Sequence, residues 1–274
     1  MSASLFDLVI RNARAATASD VFDTDIGIKD GRIVQLGRDL PRGSREIDAK
    51  GRVVTPGGVD AHCHLDQPSP PPVRMADDFD TGTISAVCGG TTTVIPFAAQ
   101  QKGGSLRAAV EDYHRRADGI AHVDYAFHLI VSDPTPEVLN AELPALIREG
   151  YTSFKAYMTY DDLKLDDGQI LDVLDVAKRH GAIAMLHAEN SDCIEWLTQR
   201  LEAMGRSAPR FHAHSRPMLV EREATHRAIA LAELVDVPIL IVHVSGREAI
   251  EQIRWGRAHG LNIFAETCPQ YLFL

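Results

Sequence analysis

Thr55-Pro56-Gly57-Gly58-Val59-Asp60-Ala61-His62-Cys63-His64-Leu65-Asp66 divides the chain into two kinds of sequence. Upstream, residues 7 to 54 read as short strands joined by tight turns: Asp7-Leu8-Val9-Ile10, Ile26-Gly27-Ile28 and Ile33-Val34-Gln35-Leu36. Asp30-Gly31 separates the last two, and a two-residue turn that needs positive φ at both positions reads as a hairpin. Downstream of Pro56-Gly57-Gly58, apolar strands alternate with amphipathic helical stretches, the pattern of a parallel sheet with crossover helices. Val59-Asp60-Ala61-His62 is the first of those strands.

The strands that follow are Thr92 to Phe97, Asp124 to Ile130, Ser153 to Tyr157, Ala182 to His187, Pro238 to His243 and Asn262 to Glu266. Helices are expected between them, among them Leu106 to Ala117 and Gln169 to His180, the latter stopped by Gly181. Seven strand–helix steps predict an α/β fold of the (β/α)8 TIM type, incomplete at its C-terminal end because eight strands close such a barrel. The expected organisation is a small N-terminal β-sandwich segment, residues 1–55, and a barrel over residues 56–274. Ser69-Pro70-Pro71-Pro72 is a stiff run just after the first barrel strand, where a rim loop belongs.

The 274 residues are 45% hydrophobic, enough to bury a sizeable core. A formal net charge of −10, with no dense Lys/Arg run, sets nucleic acid aside as a partner. No stretch approaches the roughly 20 apolar residues that span a bilayer, and the N-terminus lacks the order of a secretion signal, so a cytoplasmic location without membrane contact is expected. Cys63, Cys88, Cys193 and Cys268 form no C-x-x-C. They are expected to be reduced and mostly buried.

Polar residues of ligand type stand where the strands end, and barrel sites are built from the loops there. On a strand, alternate residues share a face, so His62 and His64 can address one cation while Cys63 points away. His187 ends Ala-Ile-Ala-Met-Leu, and His243 ends Ile-Leu-Ile-Val. One such histidine alone would read as a core or surface residue; two in matching positions beside a His-x-His point to a shared metal. His128 lies mid-strand and is expected to bind none. Lys155 enters an apolar strand without an acidic neighbour within two residues. Burial there would favour the neutral amine, which carbon dioxide converts to a carbamate able to bridge two cations. By itself, a lysine reaching from the strand end to solvent is the commoner case.

The blocks Thr55 to Asp66, Ser153-Phe154-Lys155, His187-Ala188-Glu189-Asn190, Val242-His243-Val244-Ser245 and Glu266-Thr267-Cys268-Pro269-Gln270-Tyr271-Leu272 resemble those of the dihydropyrimidinase and D-hydantoinase family of the amidohydrolase superfamily. The resemblance runs along essentially the whole chain. It implies that His62 and His64 bind the more buried of two divalent metal ions, that carboxylated Lys155 bridges the pair, and that His187 and His243 bind the second. Zinc is the expected metal, with manganese or cobalt also suited to such ligands. Tyr160 matches the tyrosine that hydrogen-bonds the substrate carbonyl, and Leu65 and Tyr157 are expected at the substrate pocket, with the rim from Leu65 to Met75 selecting among substrates.

The implied activity is hydrolytic ring opening of cyclic amides, 5-substituted hydantoins and dihydropyrimidines, by a hydroxide that the two metals activate. The partner is then a small cyclic amide, and the resemblance implies a homotetramer. The family's aspartate, both ligand and proton shuttle, lies on a strand later than any present here, so the chain is expected to be inactive alone. Dihydroorotases place an arginine where this chain has Asp66, and an anion there is expected to repel a substrate carboxylate. An allantoinase-type activity on cyclic ureides, or a non-catalytic dihydropyrimidinase-like scaffold, are the alternatives; metal content separates the scaffold from the enzymes.

Overall fold

The computed structural model describes residues 4–69 and 72–273. Two compact units divide the chain, Met1–Gly58 and Val59–Leu274.

The first unit is a five-stranded sheet. Its strands are β1 (Phe6–Ala16), β2 (Val21–Lys29), β3 (Arg32–Gly37), β4 (Gly43–Asp48) and β5 (Val53–Val54), in the order β3-β2-β1-β4 with β5 also on β1. The Asp30-Gly31 hairpin is present: Lys29 pairs with Arg32, and φ is +50° at Asp30 and +71° at Gly31. Gly27 is required by close packing, since a Cβ there would lie 2.6 Å from the Phe6 ring. Beneath the sheet's apolar residues a polar group is fully paired. Asp25 accepts from Arg11 Nη1 at 2.9 Å, from the Asn12 N–H at 3.0 Å and from the Leu40 N–H at 3.3 Å. Arg11 also donates to Glu46 and to the Leu40 carbonyl. Burial alone would raise the Asp25 carboxyl, but these hydrogen bonds hold it below its ordinary value.

In the second unit strands and helices alternate: β6 (Gly58–Cys63), α1 (Phe79–Cys88), β7 (Thr91–Ala99), α2 (Leu106–Ala117), β8 (Asp124–Tyr125), β9 (His128–Ile130), α3 (Leu143–Arg148), β10 (Ser153–Tyr157), α4 (Asp167–His180), β11 (Ile183–His187), α5 (Ser191–Ala203), α6 (Met218–Val235), β12 (Ile239–Ile241), α7 (Arg247–Ala258), β13 (Ile263–Ala265) and α8 (Gln270–Phe273). The sheet order is β13-β12-β11-β10-β9-β7-β6, with β8 on β7, and the pairings from β7 to β13 are parallel. The third expected strand is thus split in two around Ala126 and Phe127. Helix α4 begins with a capping box between Asp166 and Gln169 and ends at Gly181, whose φ of +68° is left-handed.

The central strands are short and deeply buried because helices cover their outer face, whereas the edge strands β6 and β13 are largely exposed. β9 is buried throughout, and β10 and β11 are buried at all but their first residue. The sheet rolls: side chains of β6 and of the segment after β13, its two edge strands, touch through His62 and Glu266. All four cysteines are unpaired, but none is fully buried; Cys88 and Cys193 are exposed because they lie on the outer sides of α1 and α5. No helix among the described residues is long and apolar enough to cross a membrane.

Candidate metal centre

Strand alternation sets the first corner of the site. His62 and His64 turn toward the inside of the rolled sheet, their rings 5.5 Å apart, and both pack on Phe97. Cys63 and Leu65 turn the other way. Leu65 is buried among core residues and lies so close to Gly82 on α1 that a Cβ there would meet it at 2.5 Å. Leu65 was expected at the substrate pocket, but the odd–even rule that sends the histidines inward sends it into the helix layer. Gln67, Ser69 and Met75 form that wall instead. Pro70 and Pro71 of the proline run lie outside the described residues.

Lys155 occupies the middle of β10 and is 1% exposed. Its Nζ donates to His62 Nε2 at 3.0 Å and stands 4.6 Å from the Phe97 ring centre and 5.0 Å from that of Tyr157. Burial lowers its pKa to about 7, while Glu266 and Cys268 pull weakly the other way. His187 closes β11, and His243 follows β12 with a φ of +37°. Their rings are 4.4 Å apart, and His243 is 5.5 Å from His62. Five side chains from four strands therefore meet at one place. Burial also lowers His64 to about 4 and His243 to about 2, and depresses His187, so these rings are neutral at pH 7.

Each of three imidazoles gives one nitrogen to a protein acceptor. His62 Nδ1 faces Glu266, His64 Nδ1 faces Gln67 Oε1 at 2.5 Å, and His187 Nε2 faces Glu189 Oε2 at 2.7 Å. The carboxylates and the amide oxygen only accept, so these nitrogens carry the proton and the remaining ones keep a lone pair. No three His, Cys, Asp or Glu side chains among the described residues form a ready ligand group by themselves. The donor set becomes adequate when the buried amine is counted: neutral imidazoles and a lysine poised to lose its proton are chemically suited to divalent cations. His128 is different. Its Nε2 bonds the Ala61 carbonyl at 2.9 Å and its Nδ1 the Ser153 hydroxyl at 2.5 Å, so neither nitrogen is free.

A cavity of about 940 Å³ opens over this centre, lined by His64, Lys155, Tyr157, Tyr160, His187 and His243, with His212 and Arg216 at its rim. Tyr160 is held at φ +71°, a left-handed conformation that a bulky side chain rarely adopts. Burial raises its phenol, with Glu189 adding to the effect, so the hydroxyl stays protonated and can donate. Asp66 does not face the cavity. Its carboxylate is 3.2 Å from Arg116 on α2, and its backbone N–H bonds the Asp77 carbonyl. The repulsion expected of Asp66 toward a substrate carboxylate is therefore spent on Arg116. The histidines' acceptors and Arg216 were missed by sequence reasoning; only Glu189, two residues past a strand-end histidine, carried a local signal.

Sheet and site together define a (β/α)-barrel protein with a histidine–lysine centre at the C-terminal ends of its strands. The chain belongs to the amidohydrolase family, whose family model matches residues 53–237. It is 45% identical to the D-hydantoinase of Rhizobium radiobacter over 269 residues, 98% of this chain and 58% of that one. Identity to the D-hydantoinase of Geobacillus stearothermophilus is 46%, covering 97% of this chain and 57% of that one. A solved D-hydantoinase structure superposes with a TM-score of 0.95 at 44% identity, covering 98% of this chain and 59% of the other. The chain thus spans a little under three fifths of the length of these relatives.

Proposed function

We propose that this protein opens cyclic amide rings, hydantoins and dihydropyrimidines, at a centre of two divalent cations held by His62, His64, Lys155, His187 and His243. The observation that carries the reading is Lys155: an amine 1% exposed, 3.0 Å from His62 Nε2, with no ion pair among the described residues. A buried charge without a partner is costly. A neutral amine at that point can add carbon dioxide, releasing one proton, and the resulting carbamate would offer divalent cations two oxygens that share one negative charge. Zinc fits such ligands, as do manganese and cobalt.

Bound there, the cations would supply Lewis acidity and make hydroxide available near neutral pH. The protein's own groups do the rest. Tyr160 presents a protonated hydroxyl to the ring carbonyl, where negative charge develops. Tyr157 and Phe97 wall the lysine with aromatic surface and keep bulk water from it. The acceptors Gln67, Glu189 and Glu266 each engage one nitrogen of an imidazole and leave the other with its lone pair.

The test expresses the protein through its full natural reading frame, loads it with zinc in bicarbonate buffer, and follows the opening of hydantoin, 5-phenylhydantoin and dihydrouracil. Ring opening that chelation abolishes and zinc restores is expected. Protein that retains stoichiometric zinc yet opens none of these rings would overturn the reading.

A further inference from the structure

The turn after β11 is fixed at both ends. The His187 carbonyl accepts from the Met158 N–H at 3.0 Å, the Asn190 N–H bonds the Val220 carbonyl at 3.2 Å, and the Asn190 side chain caps α5. Between these anchors Glu189 turns back on the preceding histidine, its Oε2 2.7 Å from His187 Nε2. Its other oxygen is 3.3 Å from Nε of Arg216, which arrives from the end of the 3-10 stretch Pro209–Ser215, far away in sequence. The three side chains are 9%, 19% and 22% exposed, so this is not a solvated surface pair.

We infer that Glu189, tethered by Arg216, is a positioning residue that fixes which nitrogen His187 offers to a divalent cation. The role rests on the proposed metal-dependent function. A carboxylate can only accept, so the proton of neutral His187 resides on Nε2 and the lone pair on Nδ1. The ring plane is fixed separately, by stacking on Tyr157 at 5.2 Å and by the edge contact with Tyr160 at 5.1 Å. With the plane held, the remaining freedom is the choice of tautomer and the half-turn of the ring, and Glu189 removes both. Arg216 has a definable part: it holds the second carboxylate oxygen of Glu189 at 3.3 Å, so the first stays aimed at His187 Nε2. Carboxylate partners of metal-binding histidines characteristically act in this way, and their loss costs about 10–100-fold in metal affinity.

Three substitutions separate reach, charge and hydrogen bonding. Glu189→Ala removes the acceptor. Glu189→Asp keeps the charge but withdraws it by one methylene, and Glu189→Gln keeps the reach and an accepting oxygen while losing the charge. Two readouts apply: the 15N shifts of the His187 ring in metal-free protein, and zinc affinity by competition with a chromophoric chelator. Wild-type protein is expected to show the Nε2–H tautomer. Glu189→Ala should show a mixture of tautomers and bind zinc about 10–100-fold more weakly. Glu189→Asp should weaken binding in the same direction, and Glu189→Gln should restore most of the affinity. Should Glu189→Ala fail to fold, the Asp and Gln variants decide, because both preserve side-chain polarity. Wild-type protein that takes up no zinc overturns the proposed function and this role with it. Wild-type protein that loads normally, while Glu189→Ala and Glu189→Asp load as tightly with an unchanged tautomer, overturns only the role of Glu189.

Discussion

Each unit of this protein covers a basic side chain, and the two are treated in opposite ways. Arg11 in the N-terminal sheet is surrounded by acceptors: two carboxylates and backbone carbonyls, with Asp25 further satisfied by two backbone N–H groups. Lys155 in the second unit is more deeply buried, yet it meets two aromatic faces and the lone pair of a histidine. A covered charge whose hydrogen bonds are all made within the fold holds strands together. One left without a counter-charge is a destabilising feature that persists only where something else uses it. The same contrast recurs among histidines, since His128 is closed on both nitrogens by groups outside the site, whereas His64 and His187 are closed on one and the second nitrogen of His62 meets only Lys155.

Replacing Lys155 with arginine breaks the comparison most severely. A guanidinium stays charged and cannot become a carbamate. Metal content should drop, and ring opening should fall by at least about 10³-fold, as losing several kcal/mol of transition-state stabilisation implies. Elemental analysis together with the hydantoin assay checks both. Retained metal and turnover in Lys155→Arg would mean that the amine is an ordinary structural lysine.

The pH dependence of stability should have different origins in the two units. Unfolded, Lys155 holds its proton up to a pKa of 10.5; folded, it releases it near 7. Between those values the unfolded state binds more protons, so the metal-free protein should gain stability as the pH rises from about 7 and lose it again on the way down. Lys155→Met should flatten that slope. Asp25 acts in the acid range. Its folded carboxyl lies below 3.8, so its contribution is complete above that value and is lost as the pH falls through the folded pKa. Asp25→Asn should remove this acid loss. Melting curves across the two ranges test both, and a Lys155→Met variant as pH-sensitive as the wild type would contradict the burial argument.

Tyr160 sharpens the comparison on the catalytic side, as a donor kept open toward the cavity. Tyr160→Phe should lower kcat by about 10²–10³-fold, the usual effect of removing one oxyanion donor, with metal content unchanged. A rise in KM alone would assign it to binding rather than to the developing charge. His128→Ala probes the closed class: stranding the Ser153 hydroxyl and the Ala61 carbonyl should cost about 1–3 kcal/mol, read by denaturant titration, and leave zinc stoichiometry intact. Loss of metal in that variant would place His128 with the open histidines.

The smallest effect is expected at the rim. Met75→Ala should change the ratio of kcat/KM between 5-phenylhydantoin and dihydrouracil by about tenfold, the scale of a modest change in an apolar pocket. Leu65→Ala should leave the ratio alone and lower stability by about 2–5 kcal/mol, because it opens a hole in the core. The reverse pattern would place Leu65 in the pocket after all.

The sequence located the seven strand positions of the second unit and the helix from Leu106 to Ala117, most clearly the central strands, where burial on both faces leaves an uninterrupted apolar run. The Asp30-Gly31 turn was legible for an equally local reason, its requirement for positive φ. His62, His64, Lys155, His187 and His243 could be singled out because each stands on or at the end of a strand, a position that sequence encodes directly. What each meets there depends on pairs far apart in the chain. Glu266 reaches His62 only because the sheet rolls and brings its two edge strands together, and Arg216 reaches Glu189 only through the path of the segment before α6. Asp66 and Leu65 show the same limit from the other side: an anion beside the ligand motif is neutralised by Arg116, and a leucine one residue past it belongs to the helix layer. The order of residues thus determined which groups stand at the strand ends. Which of their nitrogens, oxygens and charges remain free was decided by three-dimensional packing, because a hydrogen bond depends on distance in space and a pKa on burial, and neither is a property of neighbours along the chain.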